Sequence, residues 1–273
     1  MEKSTYIGLF LGLLAVGVGM VLKGASISTL ANPAAIMIIF VGTAAALFIG
    51  FPTSELKRVP ALLKVLFTEQ KLVSKRELIE QFMAWASIAR REGLLALENT
   101  SDEIEDEFLR NGMKMIIDGG EPEFVRDVLN EEIYAIEERH ASGAQIFSQA
   151  GAAAPTLGVL GAVVGLIAAL GNLADIDKLG HSIAAAFVAT LMGIFSGYVL
   201  WHPFANKLKR KSKREIEIKK IMVEGLLSIQ AGVSPAAIEQ KLLVYIPLHE
   251  RMAERAEEKD VNAQAREGVG VNG

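Results

Sequence analysis

Four stretches of the chain are almost purely apolar, and between them the pattern turns to charge. They cover residues 6–22, 33–51, 146–170 and 183–201. Each is near the ~20 residues that a helix needs to cross the hydrocarbon of a bilayer. A helix closes its own backbone hydrogen bonds, so it is the open-chain solution in that medium. The pattern therefore predicts an all-α fold: a polytopic membrane protein with four transmembrane helices and a helical cytoplasmic domain. Short links at 23–32 and 171–182 close the spans into two hairpins.

The charged segment between the hairpins has no alternation that would mark strands. Its apolar positions at 78, 79, 82, 85, 86, 89 and 94–97 follow the 3.6-residue period of a helix over 77–97. Ser101 followed by Asp102 and Glu103 reads as a helix start. Gly119-Gly120 breaks the chain, and Pro122 opens a helix that continues into the third span. Residues 207–227 extend the fourth span, and Ser234-Pro235 caps a short helix over 236–245. The expected organisation is a transmembrane hairpin at 1–51, a cytoplasmic helical domain at 52–145 and a second hairpin at 146–206. A helical extension at 207–250 and a polar, disordered tail at 251–273 complete it.

Composition agrees with a mixed protein. With 51% hydrophobic and 22% charged residues and a mean hydropathy of +0.33, the chain is too apolar for a soluble domain and too charged for a purely embedded one. The net charge of −4 favours no nucleic acid. The chain has no cysteine, which excludes disulfides and thiolate chemistry. Histidines 140, 181, 202 and 249 show no metal-binding spacing, and no phosphate loop or G-x-S-x-G motif is present. No metal, no cofactor and no enzymatic activity are expected. Basic residues are uneven: the short links carry Lys23 and Lys178, whereas Lys57, Arg58 and Lys64 follow the second span. Lys207, Lys209, Arg210, Lys211, Lys213 and Arg214 follow the fourth. The positive-inside rule then places both termini and the large loop in the cytoplasm, with the spans in a membrane that bounds it.

None of the four spans contains a carboxylate. A proton relay across a bilayer needs a titratable group, because charge at the midplane is costly without one. Either the bundle is structural or a partner helix brings the acid. Hydroxyls at depth belong to Thr43, Thr156, Thr190, Ser196 and Tyr198. Thr190, mid-span, either bonds back to its own helix or faces a pore. Gly161/Gly165 and Gly193/Gly197 are small-xxx-small pairs suited to close helix contact. Pro155 interrupts the third span; Pro203, beside Trp201, is either a helix adjustment at the interface or a hinge. Arg90 and Glu98, eight apart, would share roughly one helix face, as a solvated surface or a docking face for a charged partner.

Three segments carry a resemblance: Arg-Arg-Glu-Gly-Leu-Leu-Ala-Leu-Glu at 90–98, Ala-Pro-Thr-Leu-Gly-Val-Leu-Gly-Ala-Val-Val-Gly at 154–165, and Ala-Thr-Leu-Met-Gly-Ile-Phe-Ser-Gly-Tyr-Val-Leu-Trp-His-Pro at 189–203. With the order of spans, they make residues 1–250 resemble the MotA family, stator subunits of the bacterial flagellar motor in the MotA/TolQ/ExbB superfamily. The resemblance implies a homo-pentamer around MotB, whose helix supplies the intramembrane aspartate. It implies that Thr190 lines the ion path and that Pro155 and Pro203 serve torque transmission. It implies that Arg90 and Glu98 meet the rotor protein FliG. Sodium-driven relatives carry a threonine where this chain has Ala162, so the resemblance favours protons. The other readings are an ExbB/TolQ-like energy transducer, a sodium-driven stator and a structural membrane scaffold.

Overall fold

Every regular element in the computed structural model is helical, and among the described residues, 2–252, there is no strand. Four helices are long and apolar enough to span a membrane: Lys3–Leu22, Pro33–Gly50, Pro122–Leu170 and Ile176–Gln230. The second contains a wide π turn at Met37–Val41, and the fourth contains one at Ser196–Trp201. From residue 253 on, the expected disordered tail lies outside the described residues.

The described residues form two compact units. The first comprises the chain up to Lys71 together with Glu137–Lys213; the second comprises Leu72–Ile136 and the chain from Arg214 on. Residues 52–71 and 137–145 thus group with the apolar spans rather than with the rest of the charged segment.

In the first unit, the helix Val59–Phe67 is amphipathic and sets Leu62, Leu63 and Leu66 against Ala144, Phe147, Phe204 and Leu208. Its last carbonyls have no intrahelical donor. Lys211 supplies one: its Nζ donates to Val65 O at 2.7 Å and to Thr68 O at 2.6 Å. A cation at this end also suits the negative pole of the helix. The same ammonium lies 3.1 Å from the Glu2 carboxylate, and Lys207 Nζ lies 3.3 Å from it. Lys207 also donates to the hydroxyls of Ser4 and Thr5. The N-terminus of the first span is thereby tied to the fourth helix.

In the second unit, one core gathers Phe82, Met113, Leu129, Ile221, Leu226 and Ile238. Gly225 sits directly under the Phe82 ring, where a Cβ would lie 2.6 Å from the ring carbons. Ser74 and Glu77 form a capping box at the start of the helix Lys75–Glu92. This helix stops five residues short of the expected 97. Gly93 takes φ +86°, which leaves the helical region, and the apolar run continues as a tight 3-10 turn, Leu94–Leu97. Ser101 is not a helix start. It is buried inside the short helix Glu98–Asp102, and its hydroxyl bonds back to Glu98 O at 2.7 Å. The cap belongs to Asp106, whose carboxylate accepts from Leu109 N at 2.9 Å and opens Glu107–Ile117. That helix ends in a Schellman motif: Gly119 has φ +78° and bonds Ile116 O, and Gly120 N donates to Met115 O at 3.0 Å.

The link between the last two spans is shorter than expected. Asp175 caps the fourth helix through Lys178 N, so the helix begins at Ile176 rather than near 183.

Candidate functional site

The third and fourth spans pack along a seam that leaves no room for side chains. A Cβ on Gly158 would lie 2.9 Å from both the Gly193 Cα and the Ala189 carbonyl oxygen. A Cβ on Gly165 would meet the Ala186 Cβ at 3.0 Å, and one on Gly161 would meet the Ala189 Cβ at 3.0 Å. Where Gly158 meets Gly193 the backbones touch with no side chain between them, which gives dispersion and Cα–H···O contacts in place of a hydrophobic driving force that lipid does not supply.

Pro155 belongs to this seam. It sits inside the helix Pro122–Leu170 and lacks the N–H that would bond Gly151 O. That freed carbonyl is turned toward Gly197, where a Cβ would be 2.9 Å from Gly151 O and 2.7 Å from the Pro155 Cγ. One turn further along, the His202 ring lies against Gly151, within 2.8 Å of where a Cβ would stand. Pro203 is exposed, just past the π turn Ser196–Trp201. The wide turn re-routes the ladder immediately ahead of it, with His202 N donating to Gly197 O.

The other spans cover one side of this pair. The first packs on the Phe195/Val199 side, where a Cβ on Gly12 would come 2.6 Å from the Val199 Cγ1. The second packs on the Leu157 side, 3.2 Å from a Cβ on Gly42. The opposite face is left open within the chain. It presents Thr156, Val159 and Val163 from the third helix and Phe187, Thr190, Ile194 and Tyr198 from the fourth; Thr190 is half-buried and the others are exposed. The Thr190 hydroxyl donates to Ala186 O at 3.4 Å, a long back-bond, so its lone pairs remain as acceptors toward the open face. Thr156 does the same to Ala152 O at 3.3 Å. Ala162 is half-buried on the third helix, next to Gly161 of the seam. No carboxylate lies along this face, and among the described residues no cluster of His, Asp or Glu could hold a metal ion.

Arg90 and Glu98 do not share a helix face. Arg90 is exposed near the end of Lys75–Glu92, and Glu98 opens the next α-helix beyond the Gly93 turn. The eight-residue spacing misled because it assumed a helix running past Gly93.

Two features were not readable from spacing alone. Lys207 and Lys211 appear in the sequence as members of a basic run, yet both turn inward. The Thr43 Oγ1 and Trp201 Nε1 are buried without a hydrogen-bond partner. The four-residue interval between the two lysines was the available signal, since it puts them on one helix face.

Comparison with known proteins bears on this arrangement. A family model described as the MotA/TolQ/ExbB proton channel family matches residues 100–221. Motility protein A of Bacillus subtilis (strain 168) is 56% identical over 267 residues, which cover 98% of this chain and 99% of the relative. The chain belongs to the MotA/TolQ/ExbB proton channel family. The solved flagellar MotAB stator complex from Bacillus subtilis matches with a TM-score of 0.88 at 58% identity, over 92% of this chain and 99% of that one. The MotAB structure from C. jejuni matches with a TM-score of 0.86 at 32% identity, over 91% and 97%. As a MotA/TolQ/ExbB member with four such helices, the chain is a multi-pass membrane protein.

Proposed function

We propose that this chain is a stator subunit of the bacterial flagellar motor and forms, with MotB, a proton channel that couples proton flow to torque on the rotor. The observation that carries the reading is the open face. Hydroxyls line it, the rigid seam backs it, and it has no acid of its own. A path with hydroxyl walls and no proton acceptor is completed by a carboxylate from outside the chain, and the likeness to the MotAB stator complex from Bacillus subtilis supports such a pairing.

In this reading MotB supplies an intramembrane aspartate at the level of Thr190. The Thr190 lone pairs accept a hydrogen bond from the protonated acid or its water, and deprotonation breaks that contact. Ala162 offers no hydroxyl where the resemblance places a threonine in sodium-driven relatives, which supports protons as the driving ion. Pro155 and Pro203 serve torque transmission: one fixes the seam, the other follows the π turn of the fourth helix. Arg90 and Glu98 are offered to the rotor protein FliG as two separate charged points. A homo-pentamer of this chain surrounds MotB, with the large loop and both termini in the cytoplasm as the basic residues direct.

The test is swimming in a strain that lacks the native subunit. Thr190→Val removes the hydroxyl and keeps the shape, so motility falls while membrane assembly and MotB co-purification stay normal. Pro203→Leu restores a backbone donor, so the complex assembles but torque is lost. Normal swimming by both variants overturns these roles.

A further inference from the structure

We propose that His202, with Tyr198 above it, is the proton-release relay at the cytoplasmic end of the open face; this rests on the channel reading. The third helix has no Asp, Glu, Lys or Arg from 141 to 171, the fourth has none from 182 to 206, and the second span has none at all. On the second, third and fourth spans, the titratable side chains between the level of Thr190 and the cytoplasmic end are Tyr198 and His202. Tyr198 lies eight residues further along the helix, about 12 Å at the helical rise. His202 lies one turn beyond it. The Thr156 hydroxyl falls between these levels, because Pro155 faces Gly197 across the seam.

The placement of His202 suits a relay. Its ring is half-buried and held flat against the Gly151 backbone, where any Cβ would collide with it. On its own helix it packs beside the Tyr198 ring, with centroids 5.4 Å apart. The nearest cation on that helix, Lys207, is engaged by Glu2, Ser4 and Thr5. Neutral imidazole carries one acceptor nitrogen and one N–H donor, so it can take a proton at one atom and give one from the other. His181, at the outer end of the same helix, is 21 residues away, or about 30 Å, the thickness of the hydrocarbon. The two histidines thus mark the two rims of the path.

The step balances without a co-reactant. The partner's carboxylic acid loses its proton to the hydroxyl- and water-lined face and becomes a carboxylate. A His202 ring nitrogen accepts the proton and becomes imidazolium. The imidazolium then releases a proton to cytoplasmic water and returns to neutral.

The experiment uses the full chain with its carboxylate-bearing partner in inside-out membrane vesicles, whose cytoplasmic face is open to the bath. Proton flux is read under an imposed pH gradient. His202→Ala should lower flux about ten-fold or more, given the factors of 10²–10⁴ that a positioned acid–base group contributes. Co-purification of the partner should be unchanged, and imidazole added to the bath should restore the flux, which a merely structural histidine would not allow. If the alanine variant does not assemble, His202→Gln decides: normal assembly with lost flux supports the relay, and wild-type flux overturns it. Wild-type flux in an assembled His202→Ala complex, or a loss that imidazole leaves unrestored, overturns the relay and leaves the channel reading standing. A wild-type complex that conducts no protons overturns the channel reading itself.

Discussion

The Glu2 carboxylate shows how much a single residue outside the spans can hold. A hydrogen bond from Lys211 keeps its pKa below the ordinary value of 4.5, Lys207 adds to that, and partial desolvation opposes both. A carboxyl whose folded pKa is lowered contributes stability above its unfolded pKa and loses it as pH falls through the folded one. Thermal unfolding of the detergent-solubilised protein should therefore show a loss of Tm on acidification below about pH 4.5 that the Glu2→Gln variant lacks. An identical acid limb in both proteins would remove this role from Glu2. At this scale the sequence was partly legible. The basic run after the fourth span has a topological meaning that depends on charge count alone. Which lysines turn inward depends on the carbonyls they find, and those belong to a helix some 140 residues earlier in the chain.

At the scale of elements, proline and glycine marked helix boundaries correctly, whereas the Ser101 signal did not: that cap belongs to Asp106. Pro122 opens a helix and Gly119-Gly120 closes one, as their backbone preferences require. A further error arose where apolar periodicity was followed through a glycine, Gly93. Residues 94–97 keep feeding the core, Leu97 in full burial, but through a 3-10 turn that periodicity does not distinguish from a helix. The spacing of small residues pointed to close packing of the last two spans. It did not reveal that Gly158 and Gly193 face each other, which depends on the register between two helices. Gly193→Val should destabilise this packing by about 1–3 kcal/mol, because the new side chain must displace the Gly158 and Ala154 backbone. The expected readout is loss of the intact complex in detergent and loss of swimming. The exposed Gly8→Val in the first span, where a Cβ meets nothing within 4 Å, should leave both unchanged.

At the scale of the whole molecule, the absence of any carboxylate from four spans is the property that organises the rest. The chain purified alone and reconstituted into vesicles should leave a proton gradient intact. Adding the carboxylate-bearing partner should dissipate it, and a partner with that aspartate changed to asparagine should not. Free leakage by the lone chain would show that these walls carry protons unaided. Fold class and membrane character were legible from hydropathy because the bilayer permits so few solutions. The open face was not, since it is defined by which sides of two helices the other two leave uncovered.

The seam between the last two spans has a mechanical consequence. Contacts made by side chains can slip by changing rotamer; a joint made of main chain has no rotamers to change. These two helices therefore meet without a compliant layer: a displacement of one at Gly158 and Gly193 is carried directly to the other.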